Sequence, residues 1–162
     1  MLAPPRDRAT ERLQTARLLA LAIPLALLGG ALLSEYIGGL YPCEMCWWQR
    51  YPHGVAILVA IAALMSPLGA PRTRALTLLA ALAIAVSGAI GVYHAGVEYG
   101  FWEGETLCTA TAASLDEIMN VPLIRCDQVQ WSLAGISLAG FNAIFSLGGA
   151  LAIALLARRR PA

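Results

Sequence analysis

The sequence predicts an all-α membrane protein: a four-transmembrane-helix bundle with a long extracytoplasmic loop between helices 3 and 4. Three observations carry that prediction. The 162 residues are 59% hydrophobic and only 13% charged, against about 45–50% and about 25% in a soluble domain. Mean hydropathy is +0.67. The apolar residues fall in four long blocks, with most charges confined to the segments around them. This composition excludes a disordered chain, a collagen-like fibre and an ordinary soluble enzyme. The formal net charge of +1 gives no basis for a nucleic-acid partner. The length suits one membrane domain, residues 1–162, and a monomer is expected.

A bilayer core of about 30 Å takes roughly 20 apolar residues in a helix. The first block is 18–38, with Glu35 only near its far end. Four Arg precede it, as in a signal peptide. The run is longer than the usual apolar core of about 7–15 residues, so an uncleaved signal-anchor is expected. The second block is 46–66, and its first turns carry Arg50 and His53. The third is 75–94, and the fourth, 132–157, holds no charge. Small residues such as Ser87 and Gly91, four apart, let helices approach closely. A soluble bundle is a poor alternative, because no soluble helix needs to be apolar all round for this length. The loops are then 39–45 and 95–131. Within the second, 112–119 reads either as a short helix on the membrane surface or as an ordered turn.

Orientation follows from the cations, all eleven of which are Arg. Arg6, Arg8, Arg12 and Arg17 precede the first block, Arg72 and Arg74 lie between the second and third, and Arg158, Arg159 and Arg160 follow the fourth. Only Arg50 and Arg125 fall on the other side. The positive-inside rule puts both termini and the 67–74 loop in the cytoplasm.

The four cysteines, Cys43, Cys46, Cys108 and Cys126, then all lie at the outer side. That compartment permits disulfides, and four cysteines allow three pairings. The default by spacing is 43–46 and 108–126. A structural zinc site normally has two close C-x-x-C knuckles, and here only one pair is close. Two passive staples are the other bland possibility. Against it, Pro42 precedes the C-x-x-C and a helix begins there. A cysteine at a helix N-terminus feels the positive end of the macrodipole, which favours thiolate. Arg50 lies four residues beyond Cys46 on the same face. An ionisable group at the edge of an apolar span is a functional candidate, with snorkelling to headgroups as the alternative. His94 closes the third block at the same level. Trp47, Trp48, Tyr51, Tyr93, Tyr99, Trp102 and Trp131 gather there too, as an aromatic belt or as walls for a planar ligand.

These residues resemble the DsbB family, quinone-dependent thiol oxidases of the bacterial inner membrane. The stretches that carry the resemblance are Tyr41-Pro-Cys-Glu-Met-Cys-Trp-Trp-Gln-Arg50, Tyr93-His94, Cys108, and Cys126-Asp-Gln-Val-Gln-Trp131. Together they cover the chain from about 18 to 157. The segment between Cys108 and Cys126 is shorter than in the best-known members. The resemblance implies that Cys108 is attacked by a periplasmic DsbA-like thioredoxin-fold protein. It makes Cys126 the mate that exchanges with Cys43, and Cys46 the sulfur beside the quinone, ubiquinone or menaquinone. It places Arg50 at a quinone carbonyl, with His94 and Trp131 as neighbours, and implies no metal. The absence of a flavin or nucleotide motif agrees with a lipid-soluble acceptor. A vitamin K epoxide reductase-like enzyme would carry its C-x-x-C late in the bundle, on the fourth span. A stapled tetraspan protein without activity is the non-enzymatic rival.

Overall fold

The computed structural model of the protein describes residues 8–104 and 124–158. Four helices dominate the described residues: α1 (Arg8–Tyr36), α2 (Glu44–Met65), α3 (Pro71–Glu98) and α4 (Leu138–Ala157). Strands β1 (Ser132–Leu133) and β2 (Ile136–Ser137) form a small antiparallel hairpin just before α4. Each helix packs on its sequence neighbours, and α1 closes the ring against α4. Helices α1, α3 and α4 are long and apolar enough to cross a membrane. Helix α2 has the length, but Gln49, Arg50 and His53 interrupt its first turns.

The bundle is apolar outside and small inside. Met65, Leu58, Leu82 and Leu151 face outward, between 61% and 82% exposed. The interior is Ala16, Ala20, Ala56, Ala60, Ala80 and Ala150, with Ile84 and Ile153. This is the pattern expected where lipid is as apolar as the core and close backbone approach drives packing. At one end of the bundle, buried Arg17 donates to the carbonyls of Leu64 (2.5 Å) and Ser66 (3.1 Å). These belong to the last turn of α2 and its cap, where a cation is favoured. The bond ties α1 to α2.

The element boundaries follow local chemistry. Cys43 is the N-cap of α2, and its sulfur accepts the Cys46 N–H at 3.4 Å, the job usually done by a Ser or Asp oxygen. Helix α2 therefore starts two residues ahead of the apolar block at 46. Helix α3 begins with Pro71 at its first position, where a missing N–H costs nothing. It runs four residues past 94, until Gly100 at φ +73 ends it. There Phe101 N–H bonds Gly96 O (2.8 Å) and Gly100 N–H bonds Val97 O (3.1 Å), a Schellman motif.

The fourth apolar block is not helical from its start. Residues 132–137 form the hairpin, and the helix begins at Leu138. Ala134 and Gly135 both take positive φ, 52° and 79°, as a two-residue hairpin turn requires. Ser137 then caps α4, accepting the Gly140 N–H at 3.1 Å. The Tyr99 hydroxyl at the end of α3 holds the hairpin, donating to Gly135 O (2.9 Å) and accepting from Ser137 N–H (2.8 Å). The helix or turn expected at 112–119 lies outside the described residues.

Helices α3 and α4 bring their backbones close together at Gly91. A Cβ there would lie 3.0 Å from both Ala139 O and Ala143 N. Both are backbone atoms that cannot swing aside. Gly91→Ala should therefore destabilise the bundle by about 1–3 kcal/mol. Gly148→Ala, with nothing within 4 Å, should be neutral or mildly stabilising. Thermal unfolding in detergent compares the two. Equal stability would mean that the contact at Gly91 has room.

Candidate functional site

The site forms where α1 and α3 end and α2 and α4 begin. Cys43 and Cys46, one helical turn apart, hold their sulfurs 3.0 Å from each other. This is beyond the roughly 2.05 Å of a disulfide, and Cys43, Cys46 and Cys126 are all free thiols. Cys126 enters from the segment that leads to the hairpin and packs with Cys43, Met45 and Val97. Its sulfur takes a hydrogen bond from the Cys43 thiol and further ones from the N–H groups of Met45 and Glu44 at the start of α2. These pull the Cys126 thiol down to about 6, from an ordinary value of about 8.5. The same hydrogen bonds to Cys126 and Cys46, together with burial, push the Cys43 thiol up.

The start of α2 therefore serves the loop sulfur as well as the C-x-x-C that the sequence points to. Cys43 is occupied as the cap and gives its proton to a neighbouring sulfur. The remaining N–H groups of the first turn face the loop sulfur. Arg125 and Asp127 brace Cys126 from either side, through Nε–Oδ1 (2.9 Å) and Nη2–Oδ2 (2.5 Å) bonds. Arg125 holds the Asp127 carboxyl below the usual carboxylate range. Cys108 lies outside the described residues.

A cavity of about 250 Å³ opens beside these sulfurs. Cys43, Cys46, Arg50, His94 and Trp131 all line it, so the structure brings together five of the residues singled out in the sequence. Its apolar wall comes from Ala26, Leu27 and Ala31 of α1 and Leu138 and Phe141 of α4. Arg50 is nearly buried. It donates through Nη1 to Glu35 and through Nη2 to Ala31 O (3.2 Å), and lies 4.9 Å from the Trp47 ring centre. These bonds use two of its five N–H donors. Trp131 is 41% exposed at the cavity rim and tilts against Phe141. A ring-sized apolar ligand fits such a volume, since a cavity of about 150 Å³ takes a benzene.

Behind the cavity lies a buried polar network that joins three helices. Gln49 Nε2 donates to Met45 O (3.0 Å) and to His94 Nδ1 (2.8 Å). His94 Nε2 therefore carries the proton, 3.5 Å from Cys43 Sγ and 3.8 Å from Glu98 Oε1. Asn142 Nδ2 donates to Gln49 Oε1 (2.8 Å) and Ser87 O (3.1 Å). Asn142 Oδ1 accepts from Ser146 (2.9 Å) and faces His53 Nε2 at 2.9 Å. The ligating atoms of Cys43, Cys46 and His94 lie within 4.8 Å of one another, a set that could hold a thiophilic ion when the thiols are reduced.

Several of these residues carried little signal in the sequence. Glu35 read only as the end of a span, His53 only as a polar interruption, and Ser87 only as a small residue. Gln49 has a place only within the Tyr41–Arg50 stretch, and Asn142 only within an apolar block. The available signal was simple: a polar side chain inside an apolar block has to find its partner within the protein.

Apolar helices surround a cluster of thiols with one sulfur against a helix N-terminus, the parts that a membrane-bound thiol–disulfide oxidoreductase requires. The family described as "Disulfide bond formation protein DsbB" matches residues 13–156, and the chain belongs to that family. Among its relatives, "Disulfide bond formation protein B" of Verminephrobacter eiseniae is 32% identical over 94% of this chain and 89% of that protein. The protein of the same name in Aromatoleum aromaticum is 27% identical over 86% and 89%. "Uncharacterized protein RP370" of Rickettsia prowazekii is 23% identical over 85% and 83%. No solved structure matches the chain.

The reactivity of Cys126 should follow its lowered pKa. In the fully reduced protein, its alkylation by iodoacetamide should rise with pH through a midpoint of about 6, because only the thiolate reacts. Peptide mass spectrometry resolves Cys126 from the other sulfurs. Cys43→Ala removes the main donor and should move the midpoint up. A midpoint of about 8.5, that of an ordinary thiol, in the unaltered protein would show that the thiolate is not held.

Proposed function

We propose that the protein reoxidises a periplasmic thioredoxin-fold thiol oxidase of the DsbA type and passes the electrons through two cysteine pairs to a membrane quinone, ubiquinone or menaquinone. The observation that carries this reading is Cys126 seated against Cys43, beside the cavity that Cys46, Arg50 and His94 line. All four helices span the bacterial inner membrane in this reading, α2 with its polar first turns at the outer edge. Both termini face the cytoplasm and the cysteines face the periplasm, as the Arg distribution favours.

The relay is a chain of four thiol–disulfide exchanges. The partner's thiolate attacks Cys108, and Cys126 leaves as a thiolate. Cys126 then attacks Cys43. A Cys43–Cys126 bond forms, the Cys43–Cys46 bond breaks, and Cys46 takes the electron pair. The partner's second thiol releases Cys108, which re-forms the 108–126 bond and leaves Cys43 and Cys46 as a dithiol. Cys43 suits the shared position because it lies against both other sulfurs. A quinone, when bound, supplies an acceptor for two electrons and two protons. Arg50, held by Glu35 and Ala31, is placed to donate to a ring oxygen and stabilise charge developing there. The Nε2 proton of His94 does the same for the Cys43 sulfur. Trp131 shields the rim from water.

Two experiments test this. In purified protein, all four cysteines are reduced, excess reductant is removed, and free thiols are counted after a quinone is added. The count should fall from four to nearly none. Arg50→Ala should slow the fall by about 10-fold, the loss of one charge-assisted hydrogen bond. Thiols that persist beside quinone would overturn the reading. Orientation is tested with single cysteines in a cysteine-free background. An impermeant thiol reagent added to intact cells should label Val129→Cys and spare Gly69→Cys, both exposed positions. The reverse pattern would invert the topology.

A further inference from the structure

His53 is 3% exposed and lines the cavity, yet its Nδ1 is buried with no hydrogen-bond partner among the described residues. It stands three residues beyond Arg50 and seven beyond Cys46, on one face of α2. The bonds around it fix which ring nitrogen carries the proton. Ser87 O is a backbone carbonyl and can only accept, so the Asn142 atom 3.1 Å from it is the amide nitrogen. Asn142 Oδ1 therefore faces His53 Nε2, which must be the N–H. Ser87 Oγ, 3.0 Å from the same Nε2, has already given its proton to Gln49 O at 2.8 Å. It agrees, since it can only accept from the ring. A neutral His53 thus keeps a bare lone pair on Nδ1, one α-helical turn below Arg50. In a bundle closed to water, an acceptor without a donor is costly.

A quinone ring shows only acceptors at its two oxygens, whereas its reduced form shows hydroxyl donors. We infer that His53 Nδ1 forms a subsite for a hydroxyl of the reduced ring, with Arg50 serving the opposite oxygen. This rests on the quinone reading above. The chemistry balances: two S–H bonds of Cys43 and Cys46 give two electrons and two protons, one S–S bond forms, and two ring O–H bonds form. One of those O–H groups donates to His53. The subsite favours product over substrate and so pulls electrons out of the dithiol.

The test uses the full-length protein in detergent, with its cysteines oxidised so that no turnover occurs. Tryptophan quenching measures the binding of a short-tailed benzoquinone and, under anaerobic conditions, of its hydroquinone. His53→Gln keeps an N–H toward Asn142 but has no atom at Nδ1. It should weaken hydroquinone about 10-fold, change quinone by less than about 2-fold, and leave the melting temperature in place. His53→Asn puts an amide oxygen at the Nδ1 level and gives up the Asn142 bond. It should keep the hydroquinone preference and melt lower. Equal weakening of both ligands in His53→Gln, or no weakening of hydroquinone, would overturn the inference and leave the quinone reading intact. Unaltered protein that binds neither ligand would overturn both.

Discussion

The constraint behind this structure is the absence of water inside a bilayer. Each polar side chain that enters must be satisfied by another part of the protein. Gln49 is where that constraint is met. Its amide joins the α2 backbone at Met45, the α3 ring of His94 and the α4 amide of Asn142. Those bonds set the rotation of three helices about their own axes. They place the Cys43 sulfur under a ring N–H, and they leave the cavity as the gap that remains. Remove the Gln49 amide and His94 of α3 and Asn142 of α4 lose their common partner, with a cost of about 1–3 kcal/mol for each group left unmet.

Glu35 and Arg50 solve a second form of the same problem. A lone guanidinium in this position would be expensive to bury. The carboxylate from α1 cancels most of its charge, and the Ala31 carbonyl and Trp47 ring complete its surroundings. The pair costs little to keep in place, yet leaves donors on the cavity side. Arg17 performs the equivalent task at the opposite end of α2, with backbone carbonyls in place of an acid.

Much of this was legible in the sequence because hydrophobic blocks and cysteine spacing act locally. The helices, Arg50 at the edge of α2, and Ser87 and Gly91 as small residues where a helix can approach closely all follow from residues near one another in the chain. The start of α4 was not legible. The stretch 132–137 holds no charge, like the helix that follows, and the Ala134–Gly135 turn, held by distant Tyr99, sets it apart. Nor was the full reach of the helix-terminus field. The C-x-x-C pattern points to its own sulfurs, and the field also takes in Cys126, some 80 residues later, because tertiary packing chooses what else lies over an N-terminus. The Glu35–Arg50 and His53–Asn142 pairs were hidden for the same reason, as each joins two apolar blocks that show no mutual signal.

The clamp of Tyr99 on the hairpin also sets a length scale. From Ser132, the first residue of the held hairpin, back to Cys126 is a tether of six residues, which can extend at most about 20 Å. The sulfur on that tether is confined to a small volume that contains its resting place on Cys43. Its local concentration there is in the millimolar range or above. A thiol diffusing in from solution has to compete with a neighbour that never leaves, so exchange inside the protein wins by geometry even where intrinsic reactivities are equal.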